Sequence, residues 1–531
     1  MPWEMIQDKV LRTKYKVKDF LLCILSAGLL IYSFPNFNIW LCAWIGFVPL
    51  FFAIKGKSKV KAFLLSYITG VIFWLGIVYW LIHVTLPGLI ILVLYLALYF
   101  GFFGFLVSLF TDNKDTFPIT CQTVCVPAIW VLLEYIRSHL FTGFPWALLG
   151  YSQYLNLPAI QIADIAGVWG VSFLVMLVNV AIFEIILSAK SKLKPRLKII
   201  SALLVLILLL VLSYGYYRLR PRPAAPSFQS VKVCVIQGNI PQELKWEPTA
   251  KADILEKYLR LAREAALEHP QLIIWPEAAL PVVLEDEPAY LEKTQNLAKE
   301  LRAPLLIGAV RRDGGLYYNS ALLLSSEGRA LNIYDKLHLV PFGEYIPLRN
   351  MFPFLETVVP IGDFTAGKEY MVFRYSKENL QRNDNNRAIT EVKFSVLICF
   401  EDLFPELSRE FVRQGADFLV NITNDAWFGR TSSPYQHLSA SVLRAVENRV
   451  PLVRAANTGV SGFISPYGKI ISLVHDEKGR YIFSEGYKTE RIPLFAKAVT
   501  LYSRFGDYFI FVCLIFILYV IIALSKNPRS S

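Results

Sequence analysis

The sequence predicts a polytopic α-helical membrane domain joined to an extracytoplasmic α/β domain, and three observations lead there. Of its 531 residues, 55 % are hydrophobic and 18 % are charged. The mean hydropathy is +0.43, too apolar for a chain that lives entirely in water. Uninterrupted apolar runs fill the first 215 positions and return near the end, whereas short strands alternate with amphipathic helices between them. The net charge of +12 comes from short Lys/Arg clusters beside the apolar runs, which orient a membrane protein and do not describe a nucleic-acid surface.

A spanning helix needs roughly 20 apolar residues. Runs of suitable character lie at about 20–34, 38–54, 62–84, 87–110, 117–136, 166–188, 199–216 and 507–524, the first two being short. No small-residue cleavage site follows the first run, so it reads as a retained helix. Lysines and arginines precede the first span (Lys9 to Lys18) and follow the second (Lys55, Lys57, Lys59, Lys61). Others separate the sixth from the seventh (Lys190 to Lys198) and end the chain (Lys526, Arg529). With eight spans all of these face the cytoplasm, and residues 218–505 lie outside it. Arg218, Arg220 and Arg222 run against this pattern.

The expected division is a membrane domain over 1–217, a catalytic domain over 218–505, and a final span with a cytoplasmic tail over 506–531. Within the first, residues 137–165 are apolar and aromatic but broken by Gly143, Pro145, Gly150 and Pro158. They read either as a connecting loop or as an interfacial, lipid-facing wall beside the active site. Glu134 and Arg137, three apart at a helix end, could form an ion pair that fixes this segment.

From Val231 the pattern changes. VKVCVIQ, QLIIW, PLLIGAV, KFSVLIC, DFLVNIT and PLVRAAN read as strands, SALLLSSEGRALNIY as a hairpin turning at Glu327-Gly328, and GFISPYGKIIS closes the domain. Residues 250–268 place Ile254, Tyr258, Leu261, Ala262 and Ala265 on one helical face, ending before Pro270. Such alternation means a sheet covered by helices.

Polar residues stand at three strand exits, where α/β folds place ligands. QLIIWPEAALP delivers Glu277, NIYDKLHLVPFGEYIP delivers Lys336 and Glu344, and FSVLICFEDLFPE delivers Cys399 with Phe400, Glu401 and Asp402. A cysteine between a buried strand and a helix is an effective nucleophile, since helical N–H groups and a nearby cation favour thiolate. A carboxylate must take the thiol proton. A lysine and the backbone N–H of Phe400 must face the oxyanion that forms when a carbonyl is attacked. Singly, each residue has an ordinary reading, the cysteine as a small buried hydrophobe and the others as solvated loop residues; together and in this order they form a constellation.

Glu277, Lys336 and Cys399 so arranged resemble the catalytic triad of the nitrilase superfamily, which implies an α-β-β-α sandwich. The N-terminal spans, GFPW, QGNIPQELKW, WPEAALP, YDKLHLVPFGEYIP, ICFED, NITNDAWFG and one last span together are similar to the apolipoprotein N-acyltransferase family over essentially the whole chain. That resemblance implies transfer of a fatty acyl group from a phospholipid donor to the α-amino group of a diacylglyceryl-cysteine apolipoprotein acceptor, through a thioester on Cys399, in a multi-pass protein of the bacterial inner membrane with its catalytic domain in the periplasm. It also implies functional roles for Trp246, Glu344 and Glu401, and it puts Phe400 where the family commonly has Tyr.

Other readings are weighed against this one. His338 and His437 could serve a Cys/His dyad, but neither has a nucleophile partner in sequence. Cys234 could pair with Cys399, yet it sits inside a strand, as a core cysteine would. Asn424, Asp425, Trp427 and Gly429 could line a pocket or simply make a turn. No CxxC pair, metal-ligand cluster, phosphate loop or dinucleotide fingerprint occurs among the residues, so no metal or cofactor is expected. A membrane-tethered amidase and a non-catalytic transporter or scaffold are the alternative functions; a monomer without nucleic acid is the expected form.

Overall fold

The computed structural model describes residues 3–111, 119–189, 194–220, 229–346, 364–376, 391–494 and 499–525. The chain forms two compact units, Met1–Leu219 with Asp507–Ser531, and Arg220–Gly506.

The first unit is helical. Four stretches among the described residues are long and apolar enough to cross a membrane: Lys59–His83, Leu86–Leu109, Ala163–Ala189 and Lys198–Leu219. Trp3–Tyr32 and Ile119–His139 are further long helices. The last helix, Tyr508–Ser525, has 18 residues, or about 27 Å at 1.5 Å per residue. It is anchored by Trp169 Nε1 donating to Asp507 Oδ1 at 2.8 Å and by Phe173 against Phe509. Leu203, Leu206, Leu209 and Leu210 on one helix, and Phe511, Ile515 and Tyr519 on another, are more than 40 % exposed; apolar surface of that extent needs a bilayer as its solvent.

Residues 38–54 depart from the expected spanning helix. They form a five-residue 3₁₀ turn, Trp40–Trp44, and a seven-residue helix, Val48–Ile54, with Pro49 in its first turn. Backbone freed by the break is satisfied from within the unit: Phe47 N donates to Asn179 Oδ1 and Asn179 Nδ2 to Ala43 O, each at 2.8 Å. Irregular backbone at membrane depth is stable only when buried in protein this way. Lys57 still pairs with Asp19, so after the broken segment the chain is back beside the start of the first apolar run.

Residues 137–165 are buried in part, with Leu140, Phe141 and Leu155 left exposed. Trp146 and Leu148–Gln153 are buried, and the two charged residues hold them. Arg137 donates to the carbonyls of Phe144 and Trp146, both at 2.7 Å, while Glu134 accepts from Leu149 N at 2.6 Å. The segment is thus fixed by backbone contacts to both side chains. Arg218, the charge that ran against the orientation pattern, lies 2.9 Å from the buried Asp164 carboxylate. Lys190, Lys192, Arg222, Lys526 and Arg529 lie outside the described residues.

The second unit is a two-sheet α/β sandwich. Its strands are β1 Gln229–Gln237, β2 Leu272–Ile274, β3 Leu305–Asp313, β4 Leu316–Leu324, β5 Ala330–Asp335, β6 Phe373–Ser376, β7 Glu391–Ile398, β8 Phe418–Thr423, β9 Leu452–Ala456, β10 Gly462–Ile464, β11 Ile470–Leu473 and β12 Gly486–Leu494. One sheet runs β12-β1-β2-β3-β4-β5 and the other β11-β10-β9-β8-β7-β6. Each has three parallel strands at its centre, β1-β2-β3 and β7-β8-β9, flanked by antiparallel ones. The central strands are buried almost throughout, as expected where both faces are covered. Helix Lys251–Ala266 buries all five residues expected on its inner face and ends three residues before His269, which takes a positive φ. Strands β6 and β12 were not foreseen.

Candidate active site

The carboxyl ends of the central parallel strands converge. β2 ends into Glu277, β7 into Cys399, β8 into Asn424 and β9 into Asn457, while Lys336 follows β5. Glu277 is brought close by β3, where a side chain at Gly308 would collide with the Pro276 carbonyl.

Glu277 is 8 % exposed. Asn319 Nδ2 donates to its Oε1 at 2.7 Å and Asn424 N to its Oε2 at 2.8 Å. Lys336, 1 % exposed, puts Nζ 3.8 Å from Glu277 Oε1 and 2.8 Å from Glu344 Oε2. Glu344 is itself oriented by Asn319 Nδ2 and Val340 N, both at 2.8 Å. Burial alone would lower the Lys336 ammonium, but Glu344 and then Glu277 outweigh it and raise it, so the lysine stays charged.

Cys399 is half-buried and opens a 3₁₀ turn, Cys399–Leu403, with φ at 55°. A left-handed backbone at a non-glycine residue persists only when its surroundings impose it. Burial pushes the thiol up, the Glu277 charge adds to this, and Lys336 opposes it. The resting group is therefore the thiol.

Glu401 is fully buried. Its oxygens accept from Tyr334 OH, from Leu337 N at 2.7 Å and His338 N at 3.1 Å, and from Ile398 N at 2.7 Å. One carboxylate thus ties the backbone beside Lys336 to the residue before Cys399. Burial pushes it up to about 7, and its donors, Ile398 N first, pull the other way. Phe400 packs with Phe404 and His338, an aromatic setting for the residue that lacks the tyrosine hydroxyl. Trp246 is 45 % exposed and is not drawn in among these groups.

Its neighbour Lys245 is. Only 4 % exposed, Lys245 donates from Nζ to the Glu277 carbonyl at 3.0 Å. Burial lowers it to about 8, against the charges of Glu277 and Cys399. Two lysines, Lys245 and Lys336, thus stand beside Glu277. Sequence reasoning missed it because a lysine beside a tryptophan in a loop reads as solvated. Asn319 was also missed; its one trace is that it and Ser320 are the polar residues of an otherwise apolar and aromatic strand. Asn424 and Asp425 do more than make a turn: Asn424 bonds Glu277, Gln242 Oε1 and Asn457 Nδ2. Cys234 is a free cysteine of the β-sheet core.

Residues 26–181 match the apolipoprotein N-acyltransferase N-terminal domain and residues 232–492 the carbon-nitrogen hydrolase domain. An apolipoprotein N-acyltransferase of Geobacter metallireducens is 42 % identical over 516 residues, covering 93 % of each chain. That of Pasteurella multocida is 31 % identical, covering 87 % of this chain and 88 % of its own. That of Rhodopseudomonas palustris is 30 % identical, covering 97 % and 96 %. Among solved structures, an amidase from Nesterenkonia sp. is 18 % identical with a TM-score of 0.38, covering 53 % of this chain and 95 % of its own. The NitFhit protein of C. elegans is 19 % identical with a TM-score of 0.36, covering 50 % and 61 %. With both domains matched and full-length relatives above 30 % identity, the chain belongs to the apolipoprotein N-acyltransferase family.

Proposed function

We propose that this chain moves a fatty acyl group from a phospholipid to the α-amino group of an N-terminal diacylglyceryl-cysteine, in two steps through a thioester on Cys399. The observation that carries the reading is the buried Glu277, Lys336 and Glu344 cluster beside Cys399, on a chain whose other unit is built of apolar helices. A donor with two acyl chains cannot leave the bilayer, so its enzyme must be held there.

In the first step Glu277 takes the Sγ proton as sulfur attacks the ester carbonyl, and the carbonyl oxygen becomes an anion facing Lys336. Collapse expels the lysophospholipid oxygen, which takes the proton from Glu277. In the second, the amine attacks the thioester, Glu277 accepts an amine proton, and the Cys399 thiolate leaves and is reprotonated. Glu344 holds Lys336 in place, Glu401 fixes the two backbone segments, and the half-exposed Trp246 is left free to meet substrate. The enzyme acts as a monomer in the bacterial inner membrane.

Incubation of the purified protein with phospholipid and a diacylglyceryl-cysteine peptide is expected to raise the peptide mass by one acyl group and to leave lysophospholipid. Release of free fatty acid with an unmodified peptide would make it a hydrolase instead.

The basic clusters on the loops support a periplasmic position for residues 218–505, with both termini in the cytoplasm. A cysteine introduced at the exposed Lys478, in a Cys399→Ala background, should react with a membrane-impermeant maleimide in intact spheroplasts. Labelling only after permeabilisation would reverse the orientation.

A further inference from the structure

A second buried polar cluster reaches Cys399 through its backbone. His437, on helix Ser433–Asn448, has Nε2 2.7 Å from Asp402 Oδ1 and 3.2 Å from the Cys399 carbonyl oxygen. Its Nδ1 is 3.2 Å from Asp425 Oδ1. Arg454 of β9 donates to Asp402 Oδ2 at 2.9 Å and to Ser441 Oγ at 2.6 Å, and its other terminal nitrogen lies 3.8 Å from Asp425 Oδ2. All four charged residues are at most 2 % exposed. Asn421 Nδ2 is the second donor to the Cys399 carbonyl, at 3.0 Å.

The geometry sets the protonation state. Nδ1 of His437 faces the Asp425 carboxylate and Nε2 faces the Asp402 carboxylate and the Cys399 carbonyl, and neutral imidazole has a single N–H to offer. A neutral ring would press a lone pair against a buried carboxylate. With both nitrogens protonated, the two positive residues His437 and Arg454 balance the two carboxylates Asp402 and Asp425. Arg444, on the same helix, is paired with Glu447 at 2.9 Å. Beyond Cys399 lie Glu277, Glu344, Lys336 and Lys245. Burial by itself would lower the ring, but Asp402 overcomes this and His437 is raised to about 9.

We propose that His437 is a positioning residue for acyl transfer: a buried imidazolium that donates to the Cys399 carbonyl, holds the nucleophile in its left-handed backbone and offsets the Asp425 charge at the thiol. This rests on Cys399 being the nucleophile. It differs from a Cys/His dyad, because the ring meets the carbonyl of Cys399 and both its nitrogens are committed to carboxylates. Asp425 raises the thiol; without the imidazolium, Arg454 alone of this pair of cations would be left to offset the two carboxylates.

The test reads the thiol directly. Alkylation of Cys399 by iodoacetamide is followed at pH 7 and 8, below the raised thiol and with the imidazolium intact, on the purified full-length protein, the modified residue being located by mass spectrometry, beside kcat and KM for acyl transfer. There the rate follows the thiolate fraction. His437→Gln should slow alkylation about tenfold, the change for one unit in the thiol, and lower kcat with KM little changed. His437→Gln/Asp425→Asn removes one charge of each sign and should bring the rate back. Asp425→Asn alone, with the imidazolium kept, should raise the rate, which provides a reading even if His437→Gln does not fold. An unchanged rate in His437→Gln, with only a lower Tm, would leave His437 a structural residue and overturn the proposal. So would an Asp425→Asn rate that stays in place, or a double variant that remains slow. Full acyl transfer by Cys399→Ala would instead remove the nucleophile assignment, a failure distinct from these.

Discussion

Cys399→Ala is expected to abolish the acyl-enzyme and the acylated product together, because no other group at the site can hold the acyl chain. Mass spectrometry of the intact protein after exposure to phospholipid measures the first and peptide acylation the second. Turnover above background in this variant would place the nucleophile elsewhere. Glu277→Gln separates base from nucleophile: it keeps the thiol and should slow acylation by about 100-fold or more, the scale for a lost general base. The substitution is not isosteric in its hydrogen bonding. Both carboxylate oxygens accept, from Asn319 Nδ2 and Asn424 N, so the amide NH₂ of glutamine must face one of those donors, at a cost of about 1–3 kcal/mol. Tm is therefore measured alongside. Acylation near the wild-type rate would exclude Glu277 as the base.

Lys336→Met is expected to slow thioester formation and thioester decay alike, each by about 100-fold or more, as for the loss of one oxyanion donor. Both half-reactions pass through a tetrahedral intermediate, and both need the charge. If the lysine served only to favour thiolate, acylation alone would suffer and a higher pH would restore it by supplying thiolate. The environment sharpens the contrast. Glu344 and Glu277 outweigh burial and raise the ammonium, so in the wild-type enzyme it does not titrate between pH 6 and 9. In the variant two buried carboxylates are left facing each other without it. Single-turnover formation and decay of the thioester at several pH values measures this, with little recovery expected up to pH 9. Near-normal acylation at high pH would reject the oxyanion role.

The local pattern carried a good deal of this. Short continuous apolar runs located most of the sandwich strands, because strands buried on both faces are almost wholly apolar, and 3.6-residue spacing located helix Lys251–Ala266. What it missed follows from the same physics. Strand β12, GYKTERIPL, is an edge strand without an apolar run, and it forms because β1 offers an antiparallel partner over nine residues. Residues 38–54 are apolar enough to span, but periodicity cannot show that Asn179, more than a hundred residues away, satisfies a broken backbone there.

For the site, the sequence by itself determined the chemistry available at each strand exit: a carboxylate at Glu277, an ammonium at Lys336, a thiol at Cys399. Only the tertiary structure decided how those groups are held and charged. Glu401 was legible as a neighbour of Cys399, but its bonds to Leu337, His338 and Ile398 depend on two sheets meeting. Lys245 and His437 looked like a loop cation and a helix side chain. Their burial against Glu277, Asp402 and Asp425 makes them part of the site's electrostatics. Protonation, donor geometry and backbone strain are properties of groups brought together across long separations, set by desolvation and by charges a few ångströms away, and a linear pattern does not contain those distances.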